Sequence, residues 1–233
     1  HPELRGLRRW LLATRDAQSG ELRGVAVDLA RELGTRTELP IEIVAFESAG
    51  KMFDAVTAGA WDVAFLAVDP GRAGEIDFTA PYVEIEGTYL IPAGAPFRTV
   101  ADVDRDGVRV GVSAKSAYDL FLSRNLQHAQ IVHAQSPESA FDLILSSKVD
   151  VLAGVRQTLV ANSAKLAGSR VFDDRFMAIG QALGVVKGRG EAAAYLREFI
   201  EDVKASGFVA RAIDKSGVRG VTVPPSARQA MQQ

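Results

Sequence analysis

Cysteine is absent from all 233 residues. That excludes disulfide bonds, thiol nucleophiles and thiolate-ligated metals, and leaves the compartment open. Long apolar runs are missing too: none approaches the roughly twenty residues of a membrane-spanning helix. Histidine is scarce, and His1, His128 and His133 share no metal-ligand spacing, so they read as solvated or partly packed side chains. Charge of one sign is not in excess, with 27 Lys and Arg against 29 Asp and Glu. No strong field therefore draws the chain to nucleic acid or to an anionic membrane, and the basic residues are not interleaved with aromatics. Nucleophile elbow, phosphate loop and dinucleotide fingerprint are all lacking. Gly184-Val185-Val186-Lys187-Gly188-Arg189 contains glycines without the strand–GxGxxG–helix setting. The chain opens HPELRGLRRW, which is polar and basic rather than a signal-peptide core, and reads as a cytosolic or mature, processed form.

What is present is a succession of strand and helix signals. Trp61 to Val68 is a nearly unbroken apolar run, the pattern of a strand buried on both faces. It stops at Asp69-Pro70-Gly71-Arg72. Asp suits an N-cap and Pro the first helical position, so a helical turn begins there. Its backbone N–H groups, with Arg72 beside them, would make an anion site at the carboxyl end of a strand. Ile76-Asp77-Phe78-Thr79 then leads through Pro81-Tyr82 to a crossing strand around Tyr89-Leu90-Ile91. Upstream, Val25, Leu29 and Leu33 recur at helical spacing, with Gly34 placed as a C-terminal cap. Ile41 to Phe46 is a strand, and Ser48 caps a helix carrying Met52, Phe53 and Val56.

That strand–helix–strand unit occurs twice, offset by 88 positions: Ile43-Val44 matches Ile131-Val132, Ser48 matches Ser136, Phe53-Asp54 matches Phe141-Asp142, and Asp62-Val63 matches Asp150-Val151. A repeated βαβ half at this distance is too widely spaced for a solenoid and suits two similar lobes. Other expected elements are a short helix at Val100 to Val103, a buried strand at Val108 to Val112, and a helix starting at Ser116. Strands at Arg170 to Phe172 and Ala182 to Val186 and helices at Glu191 to Ala205 and Val209 to Lys215 complete the set. From Gly220 onward the pattern fades into Pro224-Pro225 and a polar tail expected to be poorly ordered.

Asp62-Val63-Ala64, Arg72, Ile76-Asp77-Phe78-Thr79 and Pro81-Tyr82, with Gly20-Glu21-Leu22-Arg23-Gly24-Val25-Ala26-Val27-Asp28-Leu29-Ala30 upstream, resemble the family 3 extracellular solute-binding proteins. These are ligand-capturing subunits of bacterial uptake transporters, and weaker likeness continues to about Gly217. The resemblance implies an α/β chain with the two-lobed type II periplasmic binding protein fold. Each lobe would be a mostly parallel sheet flanked by helices, joined by two crossing hinge strands. Residues 1–90 plus 185–233 would form the first lobe and 91–184 the second. It further implies a monomer in the periplasm or outside the cell that closes on a small molecule and presents it to an ABC-transporter permease, with no cofactor and no nucleic acid. The opening departs from the family, which begins with a clear strand: here Arg5, Arg8 and Arg9 precede the sole apolar run, Trp10 to Ala13.

In open α/β sheets ligands sit beyond the carboxyl ends of strands, which nominates Phe46 to Ser48, Ala67 to Arg72, Ser113 to Tyr118, His133 to Ser136 and Gly154 to Gln157. The candidate ligand contacts among these are Phe46, Glu47, Ala67, Asp69 and Arg72 on one lobe and Ser113, Ser116, Ala117, Tyr118 and Arg156 on the other. By resemblance Arg72 grips a ligand carboxylate; the plainer alternative is pairing with Glu75 or Asp77. Asp69 falls near the position of a family Ser or Thr hydroxyl, in a corner about two residues shorter than the family's. It is an N-cap or, facing a ligand, a partner for a cationic group. Ser116 with the N–H groups of Ala117 and Tyr118 matches the family's second anion corner, and Tyr118 either closes over ligand or packs. Gly154-Val155-Arg156 stands where amino-acid-binding members place an aspartate for the α-ammonium, so an organic acid or atypical amino acid is expected. Arg156 faces either the cleft or the surface. Two rival readings remain: a cyclohexadienyl dehydratase-like enzyme using Glu47, Asp69 or Glu84 as its acid, and a ligand-sensing input domain of a receptor.

Overall fold

The computed structural model describes residues 9–12, 20–46, 48–55 and 62–231. In chain order the elements are β1 (Arg9–Leu12), α1 (Gly20–Thr37), β2 (Glu42–Ala45), α2 (Ala49–Asp54), β3 (Val63–Ala67), β4 (Ile76–Phe78), β5 (Val83–Ile91), β6 (Arg109–Ser113), α3 (Ala117–Asn125), β7 (Gln130–Ala134), α4 (Pro137–Leu145), β8 (Val151–Val155), α5 (Arg156–Ser163), β9 (Arg170–Val171), β10 (Met177–Val186), α6 (Gly190–Ala205), α7 (Phe208–Ser216) and α8 (Ala227–Ala230). They fall into two compact units. One takes the described residues up to Glu84 and those from Gly180 onward; the other is Ile85–Ile179. The chain changes unit within β5 and again within β10.

The two units share one topology. In the first, β1 pairs in parallel with both β2 and β3, and β10 runs antiparallel on β3. In the second, β6 pairs in parallel with both β7 and β8, and β5 runs antiparallel on β8. Strand orders β2-β1-β3-β10 and β7-β6-β8-β5 are therefore equivalent. The duplicated sequence unit occupies the same place in both, as β2-α2-β3 and β7-α4-β8. Its two serines do the same work: the Lys51 N–H donates to Ser48 Oγ and the Ser139 N–H to Ser136 Oγ, each at 3.1 Å. Both are N-caps that satisfy an otherwise orphaned helix donor.

Burial explains the apolar runs. All five residues of β3 are buried, as are all five of β8. One face of β3 packs Ala64 and Leu66 against Met52 and Ile76, with Phe46 and Phe53 at the margin. In the second unit Leu152 and Leu90 pack with Ala140, Ile144 and Leu159. α1 turns Val25, Ala26, Leu29, Ala30 and Leu33 into its unit's core, the i, i+4 stripe expected of an amphipathic helix.

Two expectations are corrected. α1 does not end at Gly34 but runs to Thr37, and the chain turns at Glu38, whose φ is +56°. Gly34 is there for packing: a Cβ at that site would lie 2.6 Å from Ile41 Cδ1. Residues 221–231 of the tail are also structured. Thr222 exchanges backbone hydrogen bonds with Glu84, and Ser226, fully buried, opens α8 in a reciprocal cap with Gln229. The Ala227 N–H donates to Glu201 on α6 at 2.6 Å. The polar composition hid a cap rather than a disordered end. The strand at Arg9–Leu12 coincides with most of the apolar run that opens the chain.

Candidate functional site

In the first unit the corner after β3 folds as a compact pair of turns. Asp69 accepts at both ends: its carbonyl takes the N–H groups of Arg72 and Ala73, and its Oδ1 takes the Gly71 N–H at 2.7 Å. The turn thus forms as its Asp-Pro-Gly sequence dictates, but the N–H groups expected to face an anion are engaged inside it. The cationic group of this corner is the Arg72 side chain. It is 1% exposed, and its Nη1 donates to the Ala67 carbonyl at 2.9 Å, beyond the Leu12–Phe65 pairing of β1. Ala67, Asp69 and Arg72 are therefore brought together at the carboxyl end of one strand. Glu75 is exposed and Asp77 half-buried, whereas Arg72 is buried. Phe46 lies at the end of β2 and packs its ring against the Met52–Leu66 cluster. Glu47 lies outside the described residues.

In the second unit the corner after β6 holds Ser113, Ser116, Ala117 and Tyr118, all buried. Ser116 Oγ accepts from the Asp119 N–H at 3.1 Å and caps α3. Asp119 itself, 4% exposed, was not among the expected residues and changes the electrostatics of this corner. Its carboxylate accepts from the Lys115 N–H at 2.7 Å and from Ser123 Oγ at 3.0 Å, and meets His133 Nε2 at 2.9 Å. A carboxylate in the first turn of a helix takes up the positive end of the helix dipole, so the corner already carries its own anion. The usable signal was the acid three residues after a cap serine.

Arg156 is turned into its own unit. Its Nη1 donates to the Phe172 carbonyl, and its Nη2 to the carbonyls of Asp173 and Asp174, both at 3.1 Å. Its Nε lies 3.5 Å from Glu86. Together with Thr88 Oγ1, which donates to the Asp174 carbonyl at 2.8 Å, it pins the loop that carries Phe172 and Phe176 onto Tyr89. Burial pushes the Tyr89 phenol well above its ordinary range.

Elsewhere in the second unit, burial would raise the Asp104 carboxyl, but the backbone N–H groups of Ala129, Gln127 and His128 overcome it and hold it below the usual carboxylate range. The Arg109 guanidinium does the same for Asp150. Among the described residues no group of three or more His, Cys, Asp and Glu is placed to hold a metal ion. No described helix is long and apolar enough to cross a membrane.

One residue the sequence reading passed over lies beside the first corner. Gln181 on β10 is paired with Ala67 and is fully buried. A Gln inside the run Ala178 to Val186, where every other residue is apolar or glycine, was the available signal.

Comparison with known proteins agrees with this architecture. Over 206 residues the chain is 23% identical to the histidine-binding periplasmic protein of Salmonella typhimurium, spanning 81% of this chain and 76% of that one. It is 25% identical over 130 residues to the virulence sensor protein BvgS of Bordetella pertussis; that match takes in 55% of this chain but only 10% of the sensor's length. A histidine kinase sensor domain with similarity to periplasmic binding proteins superposes with a TM-score of 0.77 at 18% identity, covering 94% of this chain and 99% of that one. Residues 13–217 match the family described as bacterial extracellular solute-binding proteins, family 3, and the chain belongs to that family.

Proposed function

We propose that this chain captures a small carboxylate-bearing solute, an organic acid or an atypical amino acid, as the solute-binding subunit of an ABC-type uptake system outside the cytoplasm. The observation that carries the reading is Arg72: a guanidinium buried at the carboxyl end of β3, braced by one nitrogen on the Ala67 carbonyl. A planar fork held this way is preorganised to take a carboxylate side-on. The engagement of the Arg156 fork with the 172–174 carbonyls and with Glu86, the acid beside it, leaves no carboxylate of that cluster unengaged for an α-ammonium and favours a solute without one. Ser116, Ala117 and Tyr118 are not read as an anion cradle, because the Asp119 carboxylate already stands in the first turn of that helix.

A thermal-shift screen against succinate, L-malate, glutarate, benzoate and the twenty common amino acids tests the proposal. A solute at a hundred times its Kd stabilises the folded chain by about 2.7 kcal/mol, a rise of roughly 5–10 °C for a chain of this size. Shifts confined to cationic or uncharged compounds, or none at all, overturn it.

The likeness to BvgS and to a kinase sensor domain favours one second reading, a ligand-sensing input domain using the same corner. The gene beyond Gln233 separates the two: a membrane span followed by a kinase supports the sensor, and neighbouring permease genes support the transporter.

A further inference from the structure

Gln181 holds a position that packing alone does not explain. It sits opposite Ala67, at the strand end where Arg72 is anchored, and its relative exposure is 0%. Neither the oxygen nor the nitrogen of its carboxamide has a hydrogen-bond partner among the described residues. The backbone around it is satisfied. The Val68 N–H donates to the Gly180 carbonyl at 2.9 Å, which makes Gly180–Val68 a hydrogen-bonded position of the ladder, so the Gln181–Ala67 pair turns its backbone groups outward. Accordingly the Gln181 carbonyl accepts from the Tyr82 N–H at 2.8 Å, and the Ala67 carbonyl accepts from Arg72. Only the side-chain amide is orphaned. Directly opposed side chains of such a pair share a face and lie close together, and the partner here is a single methyl group, that of Ala67.

Buried polar groups without partners are uncommon in native proteins, and a Met or Leu would fill this position without the desolvation cost. A carboxamide offers two donors and one acceptor and no charge. In a buried place it matches a neutral hydroxyl or amide, whereas an ionised group would need a counter-charge that it cannot provide. Resting on the reading of Arg72 as the carboxylate anchor, we propose that Gln181 is a specificity-determining contact. It selects a carboxylate that also carries a neutral hydroxyl or amide group over the same carboxylate without it.

The test is isothermal titration of wild type, Gln181→Met and Gln181→Leu with three matched pairs: L-malate and succinate, L-lactate and propionate, succinamate and butyrate. In wild type the hydroxyl- or amide-bearing member of at least one pair binds about tenfold or more tightly than its analogue, as one or two net hydrogen bonds allow. In Gln181→Met that preference falls to within about twofold, while the melting temperature without solute is unchanged or higher. Equal binding within every pair in wild type overturns the proposal. So does a preference that survives both substitutions. If both variants melt markedly lower or fail to fold, the amide serves the core, and the proposal is likewise overturned. Failure of all six acids to bind wild type overturns this proposal, and the Arg72 reading falls with it only if the thermal-shift screen finds no acid that binds.

Discussion

Replacing Arg72 separates its two possible duties, bracing a corner and holding a solute. Arg72→Met removes the charge and the Nη1 bond to Ala67 while keeping a long side chain in the same buried space. Loss of one buried hydrogen bond from a charged donor costs about 1.5–3 kcal/mol. Against this stands the desolvation of a guanidinium that is 1% exposed, which the substitution relieves. The two terms oppose each other, so the melting temperature without solute falls by no more than roughly 10 °C. Binding has no such compensation. Truncating one member of a buried, hydrogen-bonded charge pair costs about 2–5 kcal/mol, a loss of roughly 30-fold to several thousandfold in affinity. Arg72→Lys, which keeps the charge and loses the fork, falls between wild type and Met. The assay is titration calorimetry with the acid giving the largest thermal shift, alongside melting curves without solute. A folded Arg72→Met protein that binds this acid within about threefold of wild type would falsify the assignment and leave Arg72 as a brace.

Three further outcomes follow from the packing and hydrogen bonding. Asp104→Asn removes a carboxylate that accepts three successive backbone N–H groups and lowers stability by about 1–2 kcal/mol in chemical denaturation. Because the folded-state pKa is depressed, the wild-type advantage is full above the unfolded value of about 4 and disappears as pH falls through the folded value, so the two melting curves converge in acid. Equal differences at pH 7 and pH 3 would contradict this. Gly184→Ala would place a methyl 2.5 Å from Ile76 Cγ2, in the pairing of β10 with β4, and costs about 1–3 kcal/mol of overpacking; an unchanged melting temperature would show that Ile76 moves aside freely. Ser226→Ala removes the α8 cap, at a cost of about 1 kcal/mol, and raises amide exchange over residues 220–231; unaltered exchange there would mean that the Thr222–Glu84 bridge alone holds the tail.

Most of the fold was legible because it is written in signals that act locally. The buried strands show as apolar runs, the helix starts as Ser48, Ser116 and Ser136, and the duplication as seven matched positions that occupy the same topological places. The misread boundaries are those decided by contacts distant in sequence or by a side chain's own bonds. Gly34 resembles a cap, yet its lack of a Cβ serves the approach of Ile41. The tail resembles a polar coil, yet Ser226 and Gln229 cap each other and Glu201 on another helix receives the chain.

The candidate site was less legible, for a related reason. Arg72 and Arg156 both stand just past the carboxyl end of a buried strand, and sequence position alone gives them equal standing. What distinguishes them is where acceptors lie. Arg156 has three carbonyls of the 172–174 loop and Glu86 within reach of its fork, so its charge is balanced by its own unit. The Arg72 guanidinium is buried with Nη1 on the Ala67 carbonyl, and Asp69 in the same turn sets an oxygen on the Gly71 N–H. The same accounting applies at the other corner: Ser116 looks like half of an anion cradle until Asp119 is seen to fill the helix start. Motif position therefore nominates a corner, and the disposition of neighbouring acceptors decides whether it has charge left for a solute. At the β3 corner the guanidinium is buried beside its Ala67 anchor, with Gln181 paired across from that residue, and this is the arrangement on which the proposed function draws.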